Sequence, residues 1–191
     1  MNKSVVNLIN IGNLVTYNNK LQTIDIIKDT QILIIDDRID TIGKNISGDY
    51  PIFDCKGKLI TPGFVDPHTH PVFLTGREEE FGLRLQGATY QEIAEKGGGI
   101  ISSILGVRNS TVEELVDVVT KRMDRFLKLG TTTIEAKSGY GLDVESELKS
   151  LKVLDIVNKN HPIDIISTFL GAHAFPSEFA NDHGGYVDLI C

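Results

Sequence analysis

Cysteine is scarce in this chain, basic residues are outnumbered, and long apolar runs are missing; each shortage removes a class of explanation. The two cysteines among 191 residues, Cys55 and Cys191, carry no metal-type or redox-type spacing. A disulfide framework is therefore excluded as the organising device, and a reducing compartment fits. Lys and Arg number 19 against 26 Asp and Glu, a net charge of -7. The two signs are interspersed, so no basic face exists to hold a phosphate backbone, and nucleic acid is not an expected partner. Apolar stretches such as Ile32 to Ile35 fall far short of the roughly 20 residues that span a bilayer. The start of the chain also lacks a basic segment followed by an apolar run, so the expectation is a cytoplasmic protein without membrane contact. No internal repeat or low-complexity tract appears. What is present is a hydrophobic share of 41%, that of an ordinary globular core.

Between Ser4 and Ile60, short β-branched runs (Val5 to Ile11, Ile32 to Ile35, Leu59 to Ile60) alternate with turn signals at Asn18-Asn19, Asp36-Asp37 and Gly57. This predicts a small antiparallel β unit over 1–60. From Thr61-Pro62-Gly63 onward the pattern changes to alternating strand-like and helix-like segments, predicting βα units over 61–191. Ser110 with Glu113 reads as the start of a helix carrying Leu115, Val118, Val119, Met123, Phe126 and Leu127 on one face, ended by Gly130. Thr131 to Ala136 reads as a strand. Asp143 then caps a second helix with Leu148, Leu151 and Leu154 at helical spacing, and Asp164 to Leu170 reads as a buried strand. His68 and His70, then Tyr140, then His173 stand just beyond successive strands, where parallel α/β proteins place their sites.

The strongest chemical signal is Gly63-Phe64-Val65-Asp66-Pro67-His68-Thr69-His70. A strand's two-residue period puts His68 and His70 on one face, and neutral imidazole nitrogen suits zinc or iron. A bare His-x-His is also compatible with a surface or hydrogen-bonded pair; the apolar strand entry, the Pro-Gly turn and Asp66-Pro67 narrow the choice. Gly97-Gly98-Gly99 is followed by no Lys-Ser or Lys-Thr pair, so it reads as a flexible loop rather than a phosphate cradle. His161 before Pro162 and His183 before Gly184-Gly185 read as turn residues.

The His68-Thr69-His70 segment resembles the first-strand metal motif of the amidohydrolase superfamily. Further motifs follow in order: Arg77-Glu78-Glu79-Glu80-Phe81, Arg84-Leu85-Gln86-Gly87-Ala88-Thr89-Tyr90, Gly97-Gly98-Gly99-Ile100, Glu135 to Leu142, and Thr168 to Ala174. Together they resemble the imidazolonepropionase family. The resemblance implies an α/β fold, a partial (β/α)8 barrel preceded by part of a composite β-sandwich, truncated because a complete barrel takes roughly 200 residues or more. It implies hydrolysis of 4-imidazolone-5-propanoate to N-formimidoyl-L-glutamate by metal-activated water, with one zinc or iron ion on His68 and His70. Arg77, Tyr140 and His173 would contact the substrate, each with a suitable group: a planar cationic fork, a phenolic hydroxyl and an imidazole. Their bland readings are a surface ion pair, a packing aromatic and a satisfied imidazole. Lys137 would serve in ion pairing rather than as a metal bridge. No catalytic acid or base is identified, since the family's remaining ligands and general base belong to later strands; the isolated chain is expected to be inactive. A homodimer is compatible with the family at full length. Competing readings are another cyclic-amide amidohydrolase or deaminase, and a non-catalytic truncated product.

Overall fold

The computed structural model describes residues 4–74, 76–95 and 97–191. Its contacts divide the chain after Pro62 into two compact units.

The first unit is built from β1 (Val5–Ile11), β2 (Asn13–Asn18), β3 (Thr23–Ile27), β4 (Thr30–Ile35), β5 (Arg38–Gly43), β6 (Ile52–Asp54) and β7 (Leu59–Ile60). They form two sheets, ordered β5-β4-β1-β6 and β3-β2-β7. Ile11 and Ile32 from one sheet meet Leu14, Ile27 and Ile60 from the other, with Cys55 beside them, in one apolar cluster. Burial pushes the Cys55 thiol's pKa up, which keeps it a small apolar group rather than a nucleophile. The unit is not purely antiparallel as the short β-branched runs suggest. After β5 the chain crosses to the far edge of its sheet, so β6 runs parallel to β1, and β7 likewise runs parallel to β2.

The second unit is a three-stranded parallel sheet, ordered β10-β9-β8, from β8 (Phe64–Thr69), β9 (Thr131–Lys137) and β10 (Asp164–Thr168). Between β8 and β9 lie α1 (Glu78–Leu85), α2 (Tyr90–Glu95), α3 (Ile100–Asn109) and α4 (Val112–Lys128); α5 (Val144–Asn160) links β9 to β10, and α6 (His183–Ile190) follows. Leu115, Val119 and Met123 of α4 pack with Val153, Leu154 and Val157 of α5 against Ile134, Ala136 and Ile165 of the sheet. Full burial of such large apolar side chains is worth about 1.5–3 kcal/mol each, so this cluster holds the strand ends in place.

Three local expectations shift. Helix α4 starts one residue later than expected: Thr111, not Ser110, is its N-cap, in a capping box with Glu114. The Ser110 hydroxyl is already committed, donating to the Gly106 carbonyl at the end of α3. In α5 the Asp143 cap is as expected, accepting from Ser146 N at 2.7 Å, but the buried face is Ser146, Glu147, Ser150, Val153, Leu154 and Val157, while Leu148 is exposed. Small and polar residues face inward because the loop before α5 folds back over its first turns. Finally, β10 is an edge strand on which only Ile165 is buried, so it is not the buried strand that its composition suggests.

Candidate functional site

The site begins at an irregularity in β8. Asp66 pairs with Ile134 and Thr69 with Ala136, so the ladder takes one extra residue on the β8 side. Pro67 sits there and has no N–H to give, which makes a bulge cheap at this point. His68 N turns instead to Asp66 Oδ1 at 3.2 Å, and the Thr69 hydroxyl donates to the Glu135 carbonyl at 2.8 Å. Anchored on both sides of the bulge, His68 and His70 bring their ring centroids to 5.4 Å.

Two rings from later loops join them. His173, in a 3₁₀ turn beyond β10, stacks on His70 with centroids 4.5 Å apart and planes 16° from parallel. Tyr140, in the loop beyond β9, lies 5.3 Å from both. The structure thus brings His68, His70, Tyr140 and His173 together at the C-terminal ends of three parallel strands. Arg77, the N-cap of α1, stands apart from the ring cluster but lines a cavity of about 190 Å³ with Phe73, Gly76, Glu78, Ser103 and Tyr140. A separate, more apolar cavity of about 350 Å³ runs from His70 along Phe73, Arg122, Phe126 and Leu129. Of these residues it meets only His70, whereas the smaller cavity is lined by both the guanidinium of Arg77 and the phenol of Tyr140.

Hydrogen bonds settle the imidazole protons. His70 Nδ1 lies 3.0 Å from the Ser138 carbonyl, and His173 Nδ1 lies 2.8 Å from the Gly139 carbonyl. A carbonyl has no proton to give, so each Nδ1 must carry the hydrogen, and the neutral ring keeps its lone pair on Nε2. Burial, reinforced by the neighbouring His173, holds the His70 pKa below its ordinary value and favours this neutral, ligand-competent form. At the strand ends Lys137 pairs with Glu135, whose carboxylate also accepts from the Thr168 hydroxyl at 2.9 Å. The hydrogen bond from Lys137, then that from Thr168, holds the Glu135 pKa below the usual carboxylate range.

Imidazole nitrogen suits a transition metal as a donor, and His70, with its Nδ1 committed to the Ser138 carbonyl, keeps its Nε2 free. Among the described residues, however, no group of three or more His, Cys, Asp or Glu side chains is arranged to hold one.

Other supports carry little signal in the sequence. Arg122 of α4 donates to the Pro71 carbonyl at 2.7 Å and the Phe73 carbonyl at 2.5 Å while lying over the Phe73 ring, which fixes the chain just after His70. Burial of its guanidinium pulls the pKa down to about 10. Arg108 ties α3 to the Gly141 carbonyl and to Asp143 and Glu178. Glu147 is buried and accepts from the backbone of the Tyr140 loop. Among the expected turn histidines, His161 caps the end of α5, whereas His183 opens α6 and stacks on Phe175 at 3.8 Å. In the glycine tract, Gly99 caps α3 at φ +70° and donates to Glu80 Oε1 at 2.9 Å.

Comparison with known proteins decides the family. The chain is 45% identical over 180 residues to an imidazolonepropionase of Brevibacillus brevis, covering 90% of this chain and 42% of that protein. It is 55% identical over 128 residues to one of Bacillus cytotoxicus, covering 67% and 30%. The chain belongs to the imidazolonepropionase family. It spans between 30% and 43% of the length of these curated relatives. No family model matches it. Among solved structures, an atrazine chlorohydrolase of Arthrobacter aurescens, determined with zinc and atraton, aligns with a TM-score of 0.65 at 14% identity, covering 85% of this chain and 35% of that one. That likeness shows the fold: an α/β, barrel-type architecture preceded by a β unit, matched over about a third of the neighbour's length.

Proposed function

We propose that this chain supplies the substrate-recognition face and two metal ligands of an imidazolonepropionase, which opens 4-imidazolone-5-propanoate to N-formimidoyl-L-glutamate. The observation that carries this is the convergence of His68, His70, Tyr140 and His173, from three separate strand ends, beside a cavity lined by Arg77. His68 and His70 would hold one zinc or iron ion, which supplies Lewis acidity and activates water at neutral pH. Arg77 pairs its planar guanidinium with the propanoate carboxylate, the interaction for which that fork is suited. Tyr140 donates its hydroxyl to the ring, and His173, held as the Nδ1–H tautomer, offers a fixed polar contact to the ring carbonyl or the carboxylate. Residues 1–60 form part of a composite β-sandwich and 61–191 the first βα units of the barrel. The remaining ligands and the general base lie outside the described residues, so the 191-residue chain by itself turns over negligibly. The protein acts in the cytoplasm in histidine degradation, on a small molecule rather than on nucleic acid or membrane; a homodimer at full length is compatible with the family.

The test is Arg77→Met in the polypeptide extended through the coding sequence that follows Cys191. Loss of a bidentate, charge-assisted pair worth roughly 1.5–3 kcal/mol raises KM for the imidazolone propanoate about 10- to 100-fold. An unchanged KM would remove Arg77 from the carboxylate site. Hydrolysis of a different cyclic amide or amino-heterocycle in place of this one would move the protein to another amidohydrolase activity.

A further inference from the structure

The loop from Ser138 to Leu142 has an unusual foundation. It supplies Tyr140 and the two carbonyls, of Ser138 and Gly139, that accept from the imidazoles of His70 and His173. It is also a conformation the backbone resists. Leu142, fully buried, sits at φ +53°, and Gly139 at φ +108° lies so close to His173 that an added Cβ would come within 2.8 Å of that residue's Cβ. A loop of this kind needs something to hold it, and Glu147 is placed to do so. Only 2% of Glu147 is exposed. Its Oε1 accepts from Gly141 N at 2.8 Å, Leu142 N at 2.9 Å and Gly139 N at 3.1 Å, and its Oε2 accepts from Gly139 N at 3.0 Å. All three partners are donors, an arrangement suited to a carboxylate, whose two oxygens both accept. The position in the first turns of α5 adds the favourable end of the helix dipole. One buried carboxylate thus gathers the N–H groups on both sides of Tyr140.

We infer that Glu147 is a positioning residue: its carboxylate sets the loop whose carbonyls fix His70 and His173 as Nδ1–H tautomers. It touches neither ring and acts through the backbone. The inference rests on the reading of these histidines as site residues for its functional meaning, but its physical content stands without any assumed activity. Glutamine at this position is not equivalent. Its carbonyl oxygen can still serve Gly141, Leu142 and the 3.1 Å contact from Gly139, but its amide nitrogen cannot accept the second, 3.0 Å contact from Gly139, the residue whose carbonyl holds His173.

The experiment is 15N-histidine NMR of the 191-residue chain, at a pH above the imidazole titration range, for the unaltered protein, Glu147→Gln and Glu147→Ala. The unaltered protein should show His70 and His173 with a protonated Nδ1 and a bare Nε2. In Glu147→Ala both rings should relax to the tautomer mixture of an unconstrained imidazole, with Glu147→Gln intermediate and His173 the more affected ring; His161 and His183 should not change. Amide exchange in the unaltered protein supplies a second reading that needs no variant: Gly139, Gly141 and Leu142 should be protected at least 100-fold over the unfolded chain. Folded variants with both tautomers intact, or unprotected amides at these three positions, would overturn the proposal. Because neither readout involves turnover, a failure of the imidazolonepropionase reading would leave these results unaffected and is told apart by the hydrolysis assay.

Discussion

Replacing Gly139 by alanine should both destabilise the second unit and displace part of the ring cluster. Two costs combine. The residue sits at φ +108°, a conformation essentially reserved for glycine, where a side-chain-bearing residue is strained by about 1–3 kcal/mol. The new Cβ would also lie 2.8 Å from His173 Cβ and 2.9 Å from the Leu170 carbonyl oxygen. Both are too close for van der Waals contact, and overpacking of this kind costs about another 1–3 kcal/mol. Against this stands the restriction of the unfolded chain by alanine, worth only about 0.4–1 kcal/mol. The net is a loss of about 1–5.6 kcal/mol. Relief comes most cheaply by pushing His173 away, which breaks its 2.8 Å bond to the Gly139 carbonyl and its stack on His70. Urea unfolding followed by circular dichroism gives the stability change, and the His173 ring resonances report the displacement. A loss below about 1 kcal/mol with those resonances unmoved would refute the close-packed geometry.

Three other outcomes are expected. Leu115→Ala should cost about 2–5 kcal/mol in urea unfolding, because Leu115 is fully buried in the α4–α5–sheet cluster. Thr111→Ala should cost about 0.5–2 kcal/mol by removing the capping box, with amide exchange at Glu114 accelerated; no change there would return the helix start to Ser110. Glu178 has its pKa lowered, first by the hydrogen bond from Arg108. A carboxylate depressed in the folded state adds stability that is fully present above its ordinary value of 4.5 and is lost as pH falls through the lower folded value. The stability gap between the unaltered protein and Arg108→Met should therefore narrow as pH drops below 4.5; a gap independent of pH would mean that the pair contributes nothing.

The legible parts of the molecule are those whose signal is local. Asp143 as a cap and the apolar stripe of α4 follow from spacing alone, because helix ends and faces are set by neighbours three and four residues away. The pairing of His68 with His70 was expected from strand alternation; the rings do meet, although through a bulge at Pro67 rather than a regular strand. What was not legible depends on segments distant in sequence. Ile52-Phe53-Asp54 is too short to announce a strand and forms one only because β1 offers a parallel edge. Leu148 fits the helical stripe but is exposed, since the folded-back loop claims the Glu147 face instead. A glutamate in the first turns of a helix reads as an ordinary solvent-facing residue, and nothing near it in sequence announces that three backbone amides will converge on it. Arg122 is similar: its targets, the carbonyls of Pro71 and Phe73, lie some fifty positions earlier in the chain. The gathering of Tyr140 and His173 with the histidine pair was expected through the family resemblance, because no spacing rule connects loops beyond three different strands.

The most direct test of the proposed activity is steady-state hydrolysis of freshly generated 4-imidazolone-5-propanoate. The 191-residue chain is compared with the same chain extended through the coding sequence after Cys191, and metal content is assayed in each. Formation of N-formimidoyl-L-glutamate by the extended form alone, abolished together with metal binding by His68→Ala, is the expected result. A folded, metal-loaded extended form that leaves this substrate intact would contradict it.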